Sequence, residues 1–478
     1  MASSSIDAAI ALTRLGMGAR PGEIDRVAGD PRGWLRAQIR PEGAPLPAGE
    51  RPDTAQRMTQ YVAYQSDGGA RRNAATADAE ARREARQAGR RALADDTGRA
   101  FLARADLAAT TDEGFAERWA LFWANALSVS STKFAAGVFL GQYEAEAIRP
   151  RVFGRFEDLV LAAEQHPAML LYLDQARSAG PDSAAGARRE AGLNENLARE
   201  MMELHTVGAD GGYAQADVTE LARALTGWSV PTARDARAGR GGGRAATAEG
   251  DGFVFRANLH QPGARTVMGK TYPASGRGQD GRSQDGRSQG EAILRDLARH
   301  PATGRRLSRR LAAHFVADDP PAALVAALEA AWTRSGGDLA EVARALIAAP
   351  ETWDPRPAKI KTPYEFVVSA HRALGTRPRR LPPLHQALAG MGQPMFAPPS
   401  PEGWPDTAAD WAGPDALVKR LNWAKVAAEA AMQDDPSAVA LSALGERLGQ
   451  RTRLAVARAE SRPEALTLLL MSPEFQRR

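Results

Sequence analysis

Apolar residues return every three or four positions along almost the whole of this 478-residue chain, and strand-like alternation is scarce. That period lays a continuous apolar stripe along an α-helix. Such stripes are buried by packing helix on helix, so the sequence predicts an all-α fold. It takes the form of one large multi-helical domain over 1–478 with a small β-hairpin. Ala, Leu, Arg and Glu are abundant and favour the same state. At 44% hydrophobic the chain has ample material for a core of this size.

Composition narrows the function classes. There is no cysteine, which excludes disulfides, thiolate metal sites and cysteine nucleophiles. The formal net charge of +5 is spread over the whole length, which argues against a nucleic-acid partner, since that needs a concentrated basic stripe. No apolar run reaches the roughly 18–20 residues of a membrane span. The opening MASSSIDAAIALTRLGMGARPGE lacks a basic leader and loses its apolar run at Arg14. It reads as a first helix rather than a signal peptide, with a cytoplasmic location as the default.

Along the chain, 5–40 reads as two short helices broken at Gly18–Pro21. Residues 70–100 form a charged, Ala-rich stretch, expected as a solvated helix or a partly disordered segment. Phe115, Trp119, Phe122 and Trp123 fall on one helical face, with Thr111 or Asp112 able to cap it. Residues 232–250 and 274–290 are Gly/Arg-rich and repetitive, and are expected as disordered inserts. Between them lies the one β signal. Phe253–Arg256 and Arg265–Met268 are predicted to pair as a hairpin across Asn258–Gly263.

The densest polar pattern lies in 194–228, NENLAREMMELHTVGADGGYAQADVTELARALTGW. Leu197, Met201 and Leu204 make a core stripe, and Asn196, Glu200 and Glu203 make a second one. Two carboxylates one turn apart repel unless a cation sits beside them. Arg199 reaches Glu203 at i+4, and Arg223, on a following helix from about 216 to 226, is the expected counter-ion for Glu200 or Glu203. Gly227 suits the position after that helix, with Trp228 as an anchor. One reading is a buried ion-pair network that fixes a helix hairpin. The other is a metal or acid–base site in which Glu200 and Glu203 bind one divalent ion with a histidine from elsewhere.

His260, in a loop, is the best outside histidine, with Lys270 a less secure neighbour. His205 is expected to pack beside Met201. His166 and His300 each precede a proline at a helix start and are expected as capping or packing residues, and His314 is expected in the core or at an interface. A focal site is therefore expected where the 194–228 hairpin meets the 253–270 hairpin, lined by Asn194, Asn196, Glu200, Glu203, Arg223, Trp228 and His260. The Pro/Trp-rich loop containing Trp404 and Trp411 is the expected partner contact. Nucleotide-binding P-loop and dinucleotide fingerprints, the nucleophile-elbow motif, HExxH and EF-hand loops are all missing.

Asn194–Glu203 with Tyr213 and Asp217–Trp228 resembles the signature of the bacterial domain-of-unknown-function 1800 family. The resemblance continues through HPAMLLYLDQ (166–175), 300–321, IKTPYEFV (360–367), GQPMFAPPSPEGW (392–404) and MSPEFQ (471–476). It implies one evolutionary unit and, from the habit of relatives, export and a sulfatase-like partner family. It also marks two departures. Ala126 and Gln261 stand where relatives often carry His and Asp. Loss of those groups favours a binding or assembly protein built around a Glu/Arg/His cluster over an enzyme using Glu200, Glu203 and His260.

Overall fold

The aromatic face predicted at 115–123 is the pivot of the architecture. The computed structural model describes residues 2–69, 76–188, 192–235, 252–274, 285–432 and 435–478. Phe115, Trp119, Phe122 and Trp123 are all buried on the helix Gly114–Ala126. Trp119 stacks on Phe153, 6.1 Å away at 10°, and donates its indole N–H to the Val152 carbonyl at 2.7 Å. Burying a ring this large requires a partner for its N–H, and the backbone supplies one. The helix Pro301–Phe315 packs against Ala322–Ser335 and sends Phe315 onto Phe115 and Trp119, 6.2 and 5.8 Å away. That contact carries the preceding residue, His314, against Phe122.

Helices dominate, and they start by a repeated device. A capping side chain precedes a proline at the first helical position, as in Asp30–Pro31, His166–Pro167, His300–Pro301 and Thr362–Pro363. The proline has no N–H to leave unpaired, and the residue before it accepts a bond from the next turn. Of the two roles expected for the His-Pro starts, capping is the one seen: His166 Nδ1 accepts from Ala168 N at 3.1 Å, and His300 Nδ1 from Ala302 N at 3.2 Å. The Gly114–Ala126 helix departs from expectation. Glu113 occupies its cap position without a side-chain bond, and Thr111 instead accepts the Glu113 N–H at 2.9 Å.

Thr76–Thr110 forms one long helix, so the part of the charged stretch that is described is helical. Leu93, Thr97, Phe101 and Ala105, four residues apart, face inward and anchor its second half. Residues 70–75, 236–251 and 275–284, which carry much of the other predicted segments, lie outside the described residues. The helix Asp285–Arg299 begins inside the second predicted insert.

The β pairing differs from the predicted hairpin. Val254–Phe255 pairs with Trp228–Ser229, and Arg265–Val267 pairs with Lys270–Tyr272. The second ladder closes through Met268 and Gly269, both left-handed (φ 48° and 75°), with Val267 opposite Lys270. A two-residue turn of this hand matches the twist of the strands it joins, so it outcompetes a long Asn258–Gly263 connection.

One continuous cluster of buried apolar residues runs from Ala8 to Phe475. Fully buried ion pairs cross it. Arg149 clasps Glu117 with two bonds of 2.7 and 3.0 Å, and Arg372 meets Glu23 at 3.0 Å. Arginine's planar fork suits such two-point pairing. Among the described residues no helix is long and apolar enough to cross a membrane.

Candidate functional site

The 194–228 segment folds as two helices that pack on each other, Asn196–Glu200 and Gln215–Leu225, but its charges pair otherwise than the spacing predicted. The first helix ends at Glu200 and continues as a π-helical turn over Met201–His205. A wider turn adds phase, so Glu203 leaves the row above Arg199. Arg199 instead turns back to Glu195 at 3.2 Å and to Gln215 at 2.9 Å. Arg223 pairs with Glu220 on its own helix at 2.5 Å rather than with Glu200 or Glu203. The phase change also carries His205 into the core. There its Nδ1 lies 2.5 Å from Glu164 Oε1, with both side chains fully buried. Glu200 is half-buried, and burial pushes its carboxyl above the ordinary range, with Glu203 adding to the push.

The expected outside ligands point elsewhere. His260 Nδ1 lies 2.9 Å from the Thr226 carbonyl, and its ring packs against Phe255. Lys270 pairs with Asp296. Asn194 ties the backbone, accepting from Asn196 N at 2.9 Å and donating to Asp174 O at 3.1 Å. Trp228 is buried against Phe253. Among the described residues no three His, Asp or Glu side chains assemble as a metal site, so Glu200, Glu203 and His260 do not form the expected trio.

The structure brings chemistry together at another place. A cavity of about 110 Å³ opens between the helices Gly114–Ala126, Thr76–Thr110 and Pro363–Ala373, His314, and the loop 393–406. The loop is fastened to the scaffold from two sides. Asn125 donates to the Trp404 carbonyl at 3.0 Å and accepts the Trp404 N–H at 2.7 Å. Gly403 (φ 95°) permits that approach, since a Cβ there would lie 2.5 Å from the Asn125 carbonyl oxygen. Ser131 N donates to Phe396 O at 2.7 Å, and Ser130 Oγ to Pro398 O at 2.9 Å. These bonds hold Phe396 in the left-handed region (φ 48°), a costly conformation for a bulky residue that needs such support.

Two charged groups set the floor. Glu365 accepts from Arg118 and lies 3.1 Å from Arg478 Nε, and it also caps its helix through Thr362 N at 2.9 Å. Burial pushes this carboxyl up, but Arg118 and Arg478 outweigh it and hold it far below the usual carboxylate range. Beside it, His314 Nδ1 lies 2.9 Å from Asp406 Oδ1. Burial draws His314 below its ordinary value against the pull of Asp406, so the ring is neutral at pH 7. Asp406 sits at about 2, because its bond to His314, with Arg310 and Lys359 nearby, outweighs the upward push of burial. A neutral ring facing a carboxylate carries its proton on Nδ1 and leaves the Nε2 lone pair free.

The opposite wall is aromatic. Arg104 bonds to Glu144 at 2.6 Å and lies over the rings of Phe101, Tyr364 and Phe396 at 4.6, 4.8 and 4.6 Å. Among the described residues, three polar atoms of lining side chains have no hydrogen-bond partner, Arg104 Nε, Tyr364 Oη and His314 Nε2. Trp404 lines the cavity, half-buried. Trp411, the second residue expected at a partner contact, is buried. It is 5% exposed, packs 6.2 Å from Trp404 and donates its indole N–H to Pro405 O at 2.9 Å.

The model of the family described as a protein of unknown function, DUF1800, matches residues 10–477. The chain belongs to the DUF1800 family. The matched range holds both the 194–228 hairpin and every residue lining the cavity. Among curated proteins none matches. Among solved structures none matches either.

Sequence reasoning passed over Asn125, Tyr364, Glu365 and Asp406 as candidates, and gave His314 no chemical role. The available signal was positional. Two of the blocks that resemble DUF1800, 360–367 and 392–404, converge on the cavity wall. At the two positions where the resemblance implied His and Asp, the side chains present are packed or hydrogen-bonded. Ala126 is buried, and Gln261 exchanges two bonds with Asp182, of 2.7 and 2.9 Å.

Proposed function

We propose that the protein is a binding and assembly protein whose cavity receives one side chain of a protein partner. The observation that carries this reading is a cavity of about 110 Å³ whose lining residues leave Tyr364 Oη and His314 Nε2 without partners. Pockets for whole metabolites usually run to roughly 300–1,000 Å³. This one has the scale of a space that admits a single benzene-sized ring. Unpaired buried polar atoms cost on the order of 1–3 kcal/mol each, so a guest that supplies the missing bond recovers that cost. The fitting guest has an apolar body and one hydrogen-bonding tip, as a tyrosine does.

Rigidity supports the same reading. The Asn125–Trp404 clamp and the Ser130–Pro398 bond fix the loop before any guest arrives, which lowers the entropy lost on binding. A sulfatase-like protein, expected from the resemblance, is the first partner to test.

The experiment uses side-chain analogues. Thermal denaturation is followed with p-cresol, toluene and 3-methylindole at millimolar concentration. p-Cresol should raise the midpoint most, and Ala124→Phe, which fills the cavity, should abolish the rise. No response to any analogue, or an undiminished response in Ala124→Phe, contradicts the reading.

A further inference from the structure

A second, much larger cleft of about 1140 Å³ lies apart from the cavity, with no lining residue in common. Five arginines line it against one carboxylate. That carboxylate, Asp235, is already taken. Arg256 binds it at 3.1 and 2.6 Å, and Thr232 binds it through both its N–H and its hydroxyl. Arg86, Arg177, Arg188 and Arg234 remain without an ion pair among the described residues. Arg177, Arg188 and Arg234 are exposed, so their heads are free to turn toward a guest.

The wall facing them includes half-buried rings. Tyr64 and Phe134 meet edge-on, 5.7 Å apart at 63°, and Arg86 lies 5.5 Å above the Tyr64 ring. Like charges gathered on a concave surface raise the local concentration of anions. Guanidinium groups match phosphoryl oxygens two at a time. Arg90 likewise lies 4.8 Å over the Phe134 ring, so the wall offers ring edges and guanidinium planes together to a flat base.

We propose that this cleft binds a nucleoside polyphosphate, with Arg177, Arg188 and Arg234 holding the phosphoryl groups and Tyr64 and Phe134 facing the base. The cleft gathers five guanidinium groups against one carboxylate in a concavity of small-molecule scale rather than along a strand-length groove. That favours a mononucleotide over a nucleic acid.

The test is calorimetric titration of the full chain with ATP, sodium tripolyphosphate and adenosine. ATP should bind more tightly than tripolyphosphate, and adenosine most weakly. Arg177→Ala with Arg234→Ala should weaken both anions by about tenfold or more. Tyr64→Leu, which keeps an apolar body, should weaken ATP and leave tripolyphosphate unchanged. Ala124→Phe should leave ATP binding intact, which separates this site from the cavity. Equal binding of ATP and tripolyphosphate with no response to Tyr64→Leu overturns the proposal, as does the absence of saturable ATP binding up to about 1 mM. Preference for a single-stranded oligonucleotide over ATP also overturns it.

Discussion

The side-chain amide of Asn125 satisfies both main-chain groups of Trp404, accepting its N–H at 2.7 Å and donating to its carbonyl at 3.0 Å. One residue of the central aromatic helix therefore holds the loop that walls the cavity. Asn125→Ala removes both bonds and leaves two backbone groups of a partly buried loop to find water. A loss of roughly 2–3 kcal/mol in urea-denaturation stability is expected. The p-cresol response should vanish with it. Retention of both stability and response would show that the loop is held by other means.

Glu164 and His205 are each fully buried and face each other at 2.5 Å. Removing one partner strands the other. His205→Ala is expected to cost roughly 3–5 kcal/mol by urea denaturation. Glu200→Gln should behave in the opposite way. The carboxyl of Glu200 is raised by burial, so ionising it opposes folding once pH exceeds its unfolded value. At pH 7 this change is expected to be neutral or stabilising by less than about 1 kcal/mol. A large loss would restore Glu200 to a structural ion pair.

His166 makes two bonds, and the one in which Nδ1 accepts requires a neutral ring with its proton on Nε2. Nδ1 accepts from Ala168 N, and Nε2 lies 3.0 Å from Thr54 Oγ1. Burial lowers its pKa from 6.5 to about 3. For a base with a depressed folded value, the unfolded chain binds the proton first. Its contribution is therefore complete above about pH 6.5 and declines as pH falls toward about 3. Urea midpoints measured between pH 7 and pH 4 should fall, and His166→Gln should flatten that slope. An unchanged slope in the variant would place the acid sensitivity elsewhere.

Asp406 contributes in a lower window. Its folded value of about 2 lies beneath the ordinary 3.8, so its stabilisation is present above about pH 4 and is lost as pH falls through 2. Asp406→Asn is expected to destabilise the protein at pH 7 and to reduce the acid sensitivity that remains below pH 4. The same variant should change the p-cresol response, because an amide can present either its oxygen or its NH2 to His314 Nδ1 and so no longer fixes the ring's tautomer. A variant as stable as wild type at pH 7 would contradict the His314–Asp406 account.

The helical class was legible because it rests on period alone. Phe115, Trp119, Phe122 and Trp123 declared a buried face, and the His-Pro pairs narrowed two histidines to capping or packing. The pairing of charges was not legible to the same degree. Arg199 and Arg223 each found a carboxylate three or four residues away, as helical spacing demands, but on the N-terminal side. The π-helical turn at Met201–His205 moved Glu203 and His205 off the rows a regular helix would give them. The cavity was hidden for a different reason. His314 meets Asp406 across 92 positions, and Arg118 meets Glu365 across 247. Local periodicity holds no information about contacts closed by the fold at such separations. The Asn258–Gly263 connection failed as a turn because Met268–Gly269 offered a shorter one.

The central claim is that the cavity beside Asn125 and Trp404 accepts a phenol-bearing side chain. Anomalous diffraction from crystals soaked in 4-bromophenol tests it most directly. The account predicts a bromine peak among Ala124, Tyr364 and Trp404, with the phenol oxygen within hydrogen-bonding distance of Tyr364 Oη or His314 Nε2. An empty cavity, or bromine bound only elsewhere on the surface, would contradict it.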